Sequence, residues 1–250
     1  MTSIHTIETA LNERLTPARF TDYCPNGLQV EGDRPVKHIV GGVTASLELL
    51  ERAVEHNADA LLVHHGYFWK NEPVPITGMK YRRIQTIMAN DMHLLAYHLP
   101  LDGHLSLGNN AQLAKTLGWT VEGFVGESLV MRGSLPKPMS PSALAAQIQQ
   151  GLGRAPTVVE SAEGTDSIET LAWCTGGAQS YLPIAIEAGV DAFVSGEISE
   201  STTHIARESG IHYFAAGHHA TERYGVQAVG QWLAEQFSLQ FTYIDCDNPA

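Results

Sequence analysis

With 250 residues, an apolar fraction of 44% and a net charge of −12, the chain is long enough to bury one large core or two smaller ones. Its acidic balance contains no basic block able to release counterions from a phosphate backbone, which disfavours nonspecific nucleic-acid binding and leaves direct nucleic-acid contact unexpected. Cys24, Cys174 and Cys246 have no paired spacing and no segment has signal or membrane-span length, so the expectation is a reducing cytoplasm, no disulfide framework, no cysteine-type zinc site and no membrane attachment.

Taken in chain order, residues 1–16 place apolar side chains at helical spacing. Pro25-Asn26-Gly27 reads as a turn leading into a short strand at 28–30. Apolar runs at 39–46, 58–63 and 92–96 read as strands, with a helical segment through Ala53 and Val54 between the first two, a helix at 110–117 and a strand at 120–125. Residues 129–135 are strand-like. Residues 141–150 are helical, with Ser140 as N-cap and Pro141 in the first turn, 156–159 are strand-like again, and the polar stretch 160–167 is a loop.

The second half repeats the first. Ile-Val-Gly-Gly-Val-Thr-Ala-Ser at 39–46 and Ala-Asp-Ala-Leu-Leu-Val at 58–63 are echoed by Leu-Ala-Trp-Cys-Thr-Gly-Gly-Ala at 171–178 and Val-Asp-Ala-Phe-Val-Ser at 190–195, with no gap across the pair. Met-His-Leu-Leu-Ala at 92–96 is echoed by Ile-His-Tyr-Phe-Ala at 211–215, and a helix at 221–236 and a strand at 240–245 follow. Short apolar strands alternating with amphipathic helices indicate an α/β fold of two similar halves with mostly parallel sheets. The expected division is 1–126 for the first half, 127–168 for a connecting strand-helix-strand, and 169–250 for the second half.

Polar residues at the carboxyl ends of such strands mark the ligand site. His64 and His65 end the second strand of the first half, while His98 and Asp102 follow its third; His218 and Glu222 follow the third strand of the second half. Imidazole and carboxylate donors suit a borderline divalent ion, and five or more of them suggest two. Neighbouring histidines in a regular strand point to opposite faces, so His64 and His65 suit two ions side by side, or else one packed and one solvated ring. Glu222 is the candidate bridging ligand and Asp102 a one-oxygen ligand, each with a bland alternative as a helix-start or turn acid. His98, and similarly His219, reads either as a ligand or as a residue that orients one. His104 reads as a loop residue near the mouth, Glu197 as facing the site by symmetry, and His93 and His212 as structural. Tyr67, Phe68, Trp69 and Lys70 are a substrate wall or, more commonly for such residues, core or subunit interface. Thr44, Asn109 and Thr221 are helix caps or ligand contacts.

The ordered set Pro-Asn-Gly-Leu-Gln-Val at 25–30, Gly-Val-Thr-Ala-Ser at 42–46, His-His-Gly at 64–66, His-Leu-Pro-Leu-Asp at 98–102, Gly-Asn-Asn-Ala at 108–111 and Gly-His-His-Ala-Thr-Glu at 217–222 resembles the dinuclear-metal family known as GTP cyclohydrolase 1 type 2, or NIF-three-like, proteins, over essentially the whole chain. The resemblance implies metal ligands at His64, His65, Asp102, His218 and Glu222, with the glutamate shared by two divalent ions, whether zinc, manganese, iron or nickel. It also implies a toroidal homohexamer, and a short form without the inserted middle domain of longer members. The expected activity is a metal-dependent hydrolase acting on a small molecule, with a nucleotide such as GTP the candidate, through a metal-bridging hydroxide, and with His98, His104 or Glu197 as candidate acid. A dinuclear phosphoesterase and a non-catalytic metal-binding ring are the alternatives.

Overall fold

The computed structural model describes residues 2–250. In chain order the elements are α1 (Ile4–Leu15), β1 (Gly27–Val30), β2 (His38–Thr44), α2 (Leu47–Glu55), β3 (Ala60–His65), α3 (Gly78–Ala89), β4 (His93–Ala96), α4 (Leu99–Gly103) and α5 (Asn109–Leu117). There follow β5 (Thr120–Phe124), β6 (Met131–Met139), α6 (Pro141–Leu152), β7 (Thr157–Val159), β8 (Ile168–Cys174), α7 (Leu182–Glu187), β9 (Ala192–Ser195) and α8 (Glu200–Glu208). The chain closes with β10 (His212–Ala215), α9 (His218–Thr221), α10 (Arg223–Phe237) and β11 (Gln240–Tyr243). It divides into two compact units, residues 1–108 with 225–247, and residues 109–224 with 248–250.

The first unit holds the sheet β1-β4-β3-β2-β11, parallel throughout except for β1, which runs antiparallel to β4. Alternation along the strands divides its core. Val40, Leu61, Val63 and Leu94 pack under Leu49, Leu50 and Ala53 of α2 and Ile87 of α3. Ile39, Ala60, Leu62 and Leu95 pack on the other face against Ile7 and Leu11 of α1 and Val226, Val229 and Leu233 of α10. The α2 helix starts where Ser46 accepts the Leu49 N–H on its hydroxyl, the usual satisfaction of an orphan donor at a helix start.

The second unit holds the sheet β5-β6-β8-β9-β10-β7. Only its centre, β8-β9-β10, is parallel; β5, β6 and β7 join antiparallel. Trp173, Val194 and Phe214 face Leu113 and Leu117 of α5 and Leu144 and Ile148 of α6, while Ala172, Phe193 and Tyr213 face Leu182 and Ala185 of α7 and Ala206 of α8. Ser140 caps α6 on the Ala143 N–H, Pro141 stands in the first turn, and Gly153 ends the helix in the left-handed region.

Two placements differ from a division by chain order. The strands of the segment 127–168 join the second sheet: β6 lies between β5 and β8, and β7 edges β10. The residues buried along β6, Met131, Gly133 and Leu135, alternate with less buried ones, the pattern of a strand with one face on a core. The closing strand also changes company, since β11 pairs with β2 of the first sheet and β5 with β6 of the second. Local pattern fixes that these segments are strands, but pairing partners are long-range choices.

The repeat carries a structural device at the amino ends of the strands. Asp59 Oδ2 accepts the backbone N–H groups of Lys37 and His38 at 2.8 and 3.0 Å; Asp191 Oδ2 accepts those of Glu169 and Thr170 at 3.0 and 2.8 Å, and the Thr170 hydroxyl at 2.9 Å. His93 and His212 are equally matched. Each accepts a backbone N–H on Nδ1, from Gly32 and Ser161 respectively, and donates from Nε2 to a carbonyl, of Arg34 and Thr165. Replacing Asp191 by Ala leaves two backbone donors without their acceptor and is expected to lower stability by about 1–3 kcal/mol, read as a lower denaturant midpoint, with Asp191→Asn costing less. An unchanged midpoint for Asp191→Ala would show the latch contributes nothing.

Candidate metal centre

Both histidines of the His-His-Gly motif lie in β3, at its last two positions. Their side chains leave on opposite faces, yet their rings converge at the strand end to 4.5 Å between centroids. Gly66 follows because no side chain fits there. A Cβ on it would stand 2.2 Å from Gln29 Oε1 and 2.6 Å from the Ala96 Cβ. Gln29 is fixed in that place, accepting the Tyr67 N–H at 2.7 Å and donating to the carbonyls of Pro25 and Tyr67. The motif at 25–30 and the motif at 64–66 are thus one packed joint.

Each site histidine is held by its Nδ1. His64 Nδ1 lies 3.0 Å from the Tyr97 carbonyl; a carbonyl only accepts, so Nδ1 carries a proton, and in the neutral imidazole Nε2 is then the nitrogen with the lone pair. That Nε2 stands 3.5 Å from Asp102 Oδ1. His65 Nδ1 is 3.1 Å from the Thr44 hydroxyl, and His98 Nδ1 is 2.7 Å from Asp22 Oδ1. One ring nitrogen of each of His64, His65 and His98 lies within 4.8 Å of those of the other two. Asp102, near the end of α4, is 6% exposed.

In the second unit, α9 and the bend after it carry His218 and Glu222. His218 Nδ1 is 2.7 Å from Glu197 Oε1, and its Nε2 is 3.1 Å from Glu222 Oε2. Glu197 in turn accepts Gln179 Nε2 at 3.2 Å. Burial alone would lower the His218 imidazole, but hydrogen bonds and charge from Glu222 and Glu197 outweigh it and push it up to about 9. The first of the paired glycines at 176 and 177 finds its use here. Gly176 has φ +69°, and a Cβ on it would stand 2.0 Å from Glu222 Oε1 and 3.1 Å from His218 Nε2. Its N–H donates to the Thr221 hydroxyl, which itself donates to backbone carbonyls of Gly217 and His218.

Other expected positions have local tasks. His104 Nδ1 accepts the N–H groups of Ser106 and Leu107, closing its own loop, and burial, then Arg14, lowers its imidazole. Of the four residues at 67–70, Tyr67 is buried and donates to the Ala45 carbonyl, Phe68 lies beneath Lys80, and the Lys70 N–H donates to the Tyr23 carbonyl. Trp69 alone reaches the histidines, edge-on to His98 at 5.0 Å and tilted against His65 at 5.9 Å. Asn109 is fully buried, and the His219 N–H donates to the Ala250 carbonyl.

Sequence reasoning missed Asp22 and Asn26. Asp22 accepts from His98 Nδ1, from Asn26 Nδ2 at 2.8 Å and from the Leu99 N–H at 3.0 Å, while Asn26 Oδ1 accepts the His98 N–H at 2.7 Å. The one signal available was the position of both beside the Pro-Asn-Gly turn. Burial raises the Asp22 carboxyl, but these hydrogen bonds and the charge of His98 overcome it and bring it from 3.8 down to about 2.

The donors fit a borderline divalent ion. Imidazoles anchored on Nδ1, with Nε2 turned toward buried carboxylates, are how metal-ligating histidines are usually prepared. Among the described residues no helix is long and apolar enough to cross a membrane.

Fold and donors together define a two-unit α/β protein with histidine and carboxylate groups able to hold metal. Residues 2–249 match the family model of Duf34/NIF3 (NGG1p interacting factor 3), and the chain belongs to that family. A Vibrio cholerae protein named GTP cyclohydrolase 1 type 2 homolog is 57% identical over 246 residues, covering 97% of this chain and 98% of the relative. An Escherichia coli K12 protein of the same name is 52% identical over 244 residues, with 98% of each covered. Among solved structures, protein ybgI, described as of unknown function, superposes with a TM-score of 0.97 at 51% identity over all of both chains. TTHA1606 from Thermus thermophilus gives a TM-score of 0.91 at 33% identity, again over all of both chains.

The Asp22 shift sets a pH dependence. Its folded pKa lies below its unfolded one, so the stabilisation is fully present above about pH 4 and is lost as pH falls toward 2. Asp22→Asn in the metal-free protein should therefore lose stability less steeply than wild type between those values in denaturant titrations. Parallel slopes would contradict the assignment.

Proposed function

We propose that this chain is a dinuclear metal-dependent hydrolase of the GTP cyclohydrolase 1 type 2 kind, holding two divalent ions per chain on His64, His65, Asp102, His218 and Glu222, with Glu222 shared between them. The observation that carries this reading is the anchoring of His64 and His218 through Nδ1, to the Tyr97 carbonyl and the Glu197 carboxylate, which aims Nε2 of each at a buried carboxylate. Bound there, divalent ions supply Lewis acidity, acidifying water and polarising the group attacked.

The residues have separable tasks. Tyr97 and Glu197 fix ring orientation and tautomer, and raise the basicity of the nitrogen that binds. Gly176 leaves room for Glu222 to approach the backbone. Burial of Asp102 and Glu222, at 6% and 3% exposure, is expensive for an ionised acid without compensation, and positive charge at this place offsets it. The proposed substrate is a small molecule, with a nucleotide favoured by the name the relatives carry, and the proposed working form is a cytoplasmic homohexameric ring.

The test is product analysis with the metal-loaded protein and a panel of GTP, other nucleotides and phosphomonoesters. Formate from GTP is expected, and Glu222→Gln should lower turnover by more than about 100-fold while the metal-free variant unfolds at the wild-type temperature. Inorganic phosphate or a shortened nucleotide would replace the cyclohydrolase reading with a phosphoesterase. Turnover unchanged in Glu222→Gln, or no turnover of any substrate by protein carrying its full metal content, would sink the hydrolase assignment.

A further inference from the structure

The Asp22–His98 pair repeats the construction seen at the proposed ligands. At His64 and at His218 an acceptor grips Nδ1 and turns Nε2 inward. At His98 the acceptor is the Asp22 carboxylate, only 4% exposed, and the imidazole itself is 14% exposed. The ring stands 5.1 and 5.7 Å, centroid to centroid, from His64 and His65, and Trp69 packs edge-on against it. A ring held on one nitrogen and walled by an indole has no freedom to swing toward and away from a substrate. One nitrogen of this ring lies within 4.8 Å of one nitrogen of each of the other two imidazoles.

We propose that His98 is a sixth protein donor to the metal centre, binding through Nε2, and that Asp22 is the positioning residue that makes it one. This rests on the metal-binding reading above and extends its ligand set. Asp22 acts twice: one oxygen fixes the His98 ring and the other accepts the Leu99 N–H at the start of α4, the short helix that carries Asp102. Asn26 completes the grip on the His98 backbone. The centre would then present three imidazoles, those of His64, His65 and His98. Such a nitrogen-rich face selects zinc, cobalt, nickel or ferrous iron over magnesium and calcium, which prefer oxygen.

Cobalt(II) is the probe. The metal-free wild type, His98→Gln and Asp22→Asn are titrated with cobalt against a chromophoric chelator, and the visible d–d spectrum of each is recorded. Wild type is expected to take two ions. His98→Gln should bind one of them at least about 10-fold more weakly, with a changed band position and intensity, and Asp22→Asn about 10- to 100-fold more weakly, the range for removal of a residue that orients a ligand. Far-UV circular dichroism and thermal unfolding of the metal-free variants establish that they fold; should His98→Gln fail to, Asp22→Asn, which keeps the imidazole, decides the matter. Wild-type affinities and a superimposable spectrum in the folded variants would overturn the proposal while leaving the five-ligand reading intact. A wild type that takes up no cobalt overturns both.

Discussion

An imidazole offers a metal only the nitrogen that its other nitrogen's partner leaves available. That constraint organises this molecule more than any single contact. His64 gives its Nδ1 proton to the Tyr97 carbonyl, His218 and His98 face carboxylates on the same nitrogen, and His65 meets the Thr44 hydroxyl. The anchors are themselves anchored. Tyr97 is fully buried and its phenol donates to Asn12 of α1 at 2.7 Å, while Glu197 accepts from Gln179. Rings prepared in this way need little reorganisation to bind, so the ordering entropy of the ligands is met by folding rather than at the moment of binding.

The fold can meet that demand because its two ends do different work. At the amino ends of the parallel strands, Asp59 and Asp191 satisfy backbone donors and His93 and His212 tie down loops. Those are stability functions, and they appear in both halves of the repeat. At the carboxyl ends the halves diverge: the first ends β3 in His64 and His65, whereas the second has Gly196 and Glu197 at the equivalent positions, with Glu197 holding His218. Electrostatics explains why the second arrangement tolerates burial. Desolvation favours a neutral His218, but two carboxylates close to it win, and the imidazolium offsets their charge when no ion does so.

Much of this was legible in the sequence, for identifiable reasons. Apolar period and the gapless echo between 39–63 and 171–195 gave the parallel centres of both sheets, and Ser140-Pro141 marked the start of α6 correctly. His93 and His212, placed at equivalent strand starts, do serve structure. The exchange of closing strands, β5 into the second sheet and β11 into the first, was not legible, because nothing local to those segments names their partner. Nor was the tie between Gln29 and the His-His-Gly motif, or the grip of Asp22 and Asn26 on His98. Those pairs lie 38, 76 and 72 residues apart, and their polar side chains read as an ordinary turn until the fold brings them together. Glu197 was expected at the site by symmetry, and the structure gives it the particular task of holding an imidazole.

The proposed centre is defined by which nitrogen of each histidine would face the ions and by how many ions it would hold. Diffraction from zinc-loaded crystals, measured on both sides of the zinc absorption edge, reads both at once. Two anomalous peaks per chain, ligated through Nε2 of His64, His65 and His218 with the Nδ1 bonds to Tyr97, Thr44 and Glu197 intact, is the predicted result. A single peak, or zinc seated on Nδ1 with those bonds broken, would contradict it.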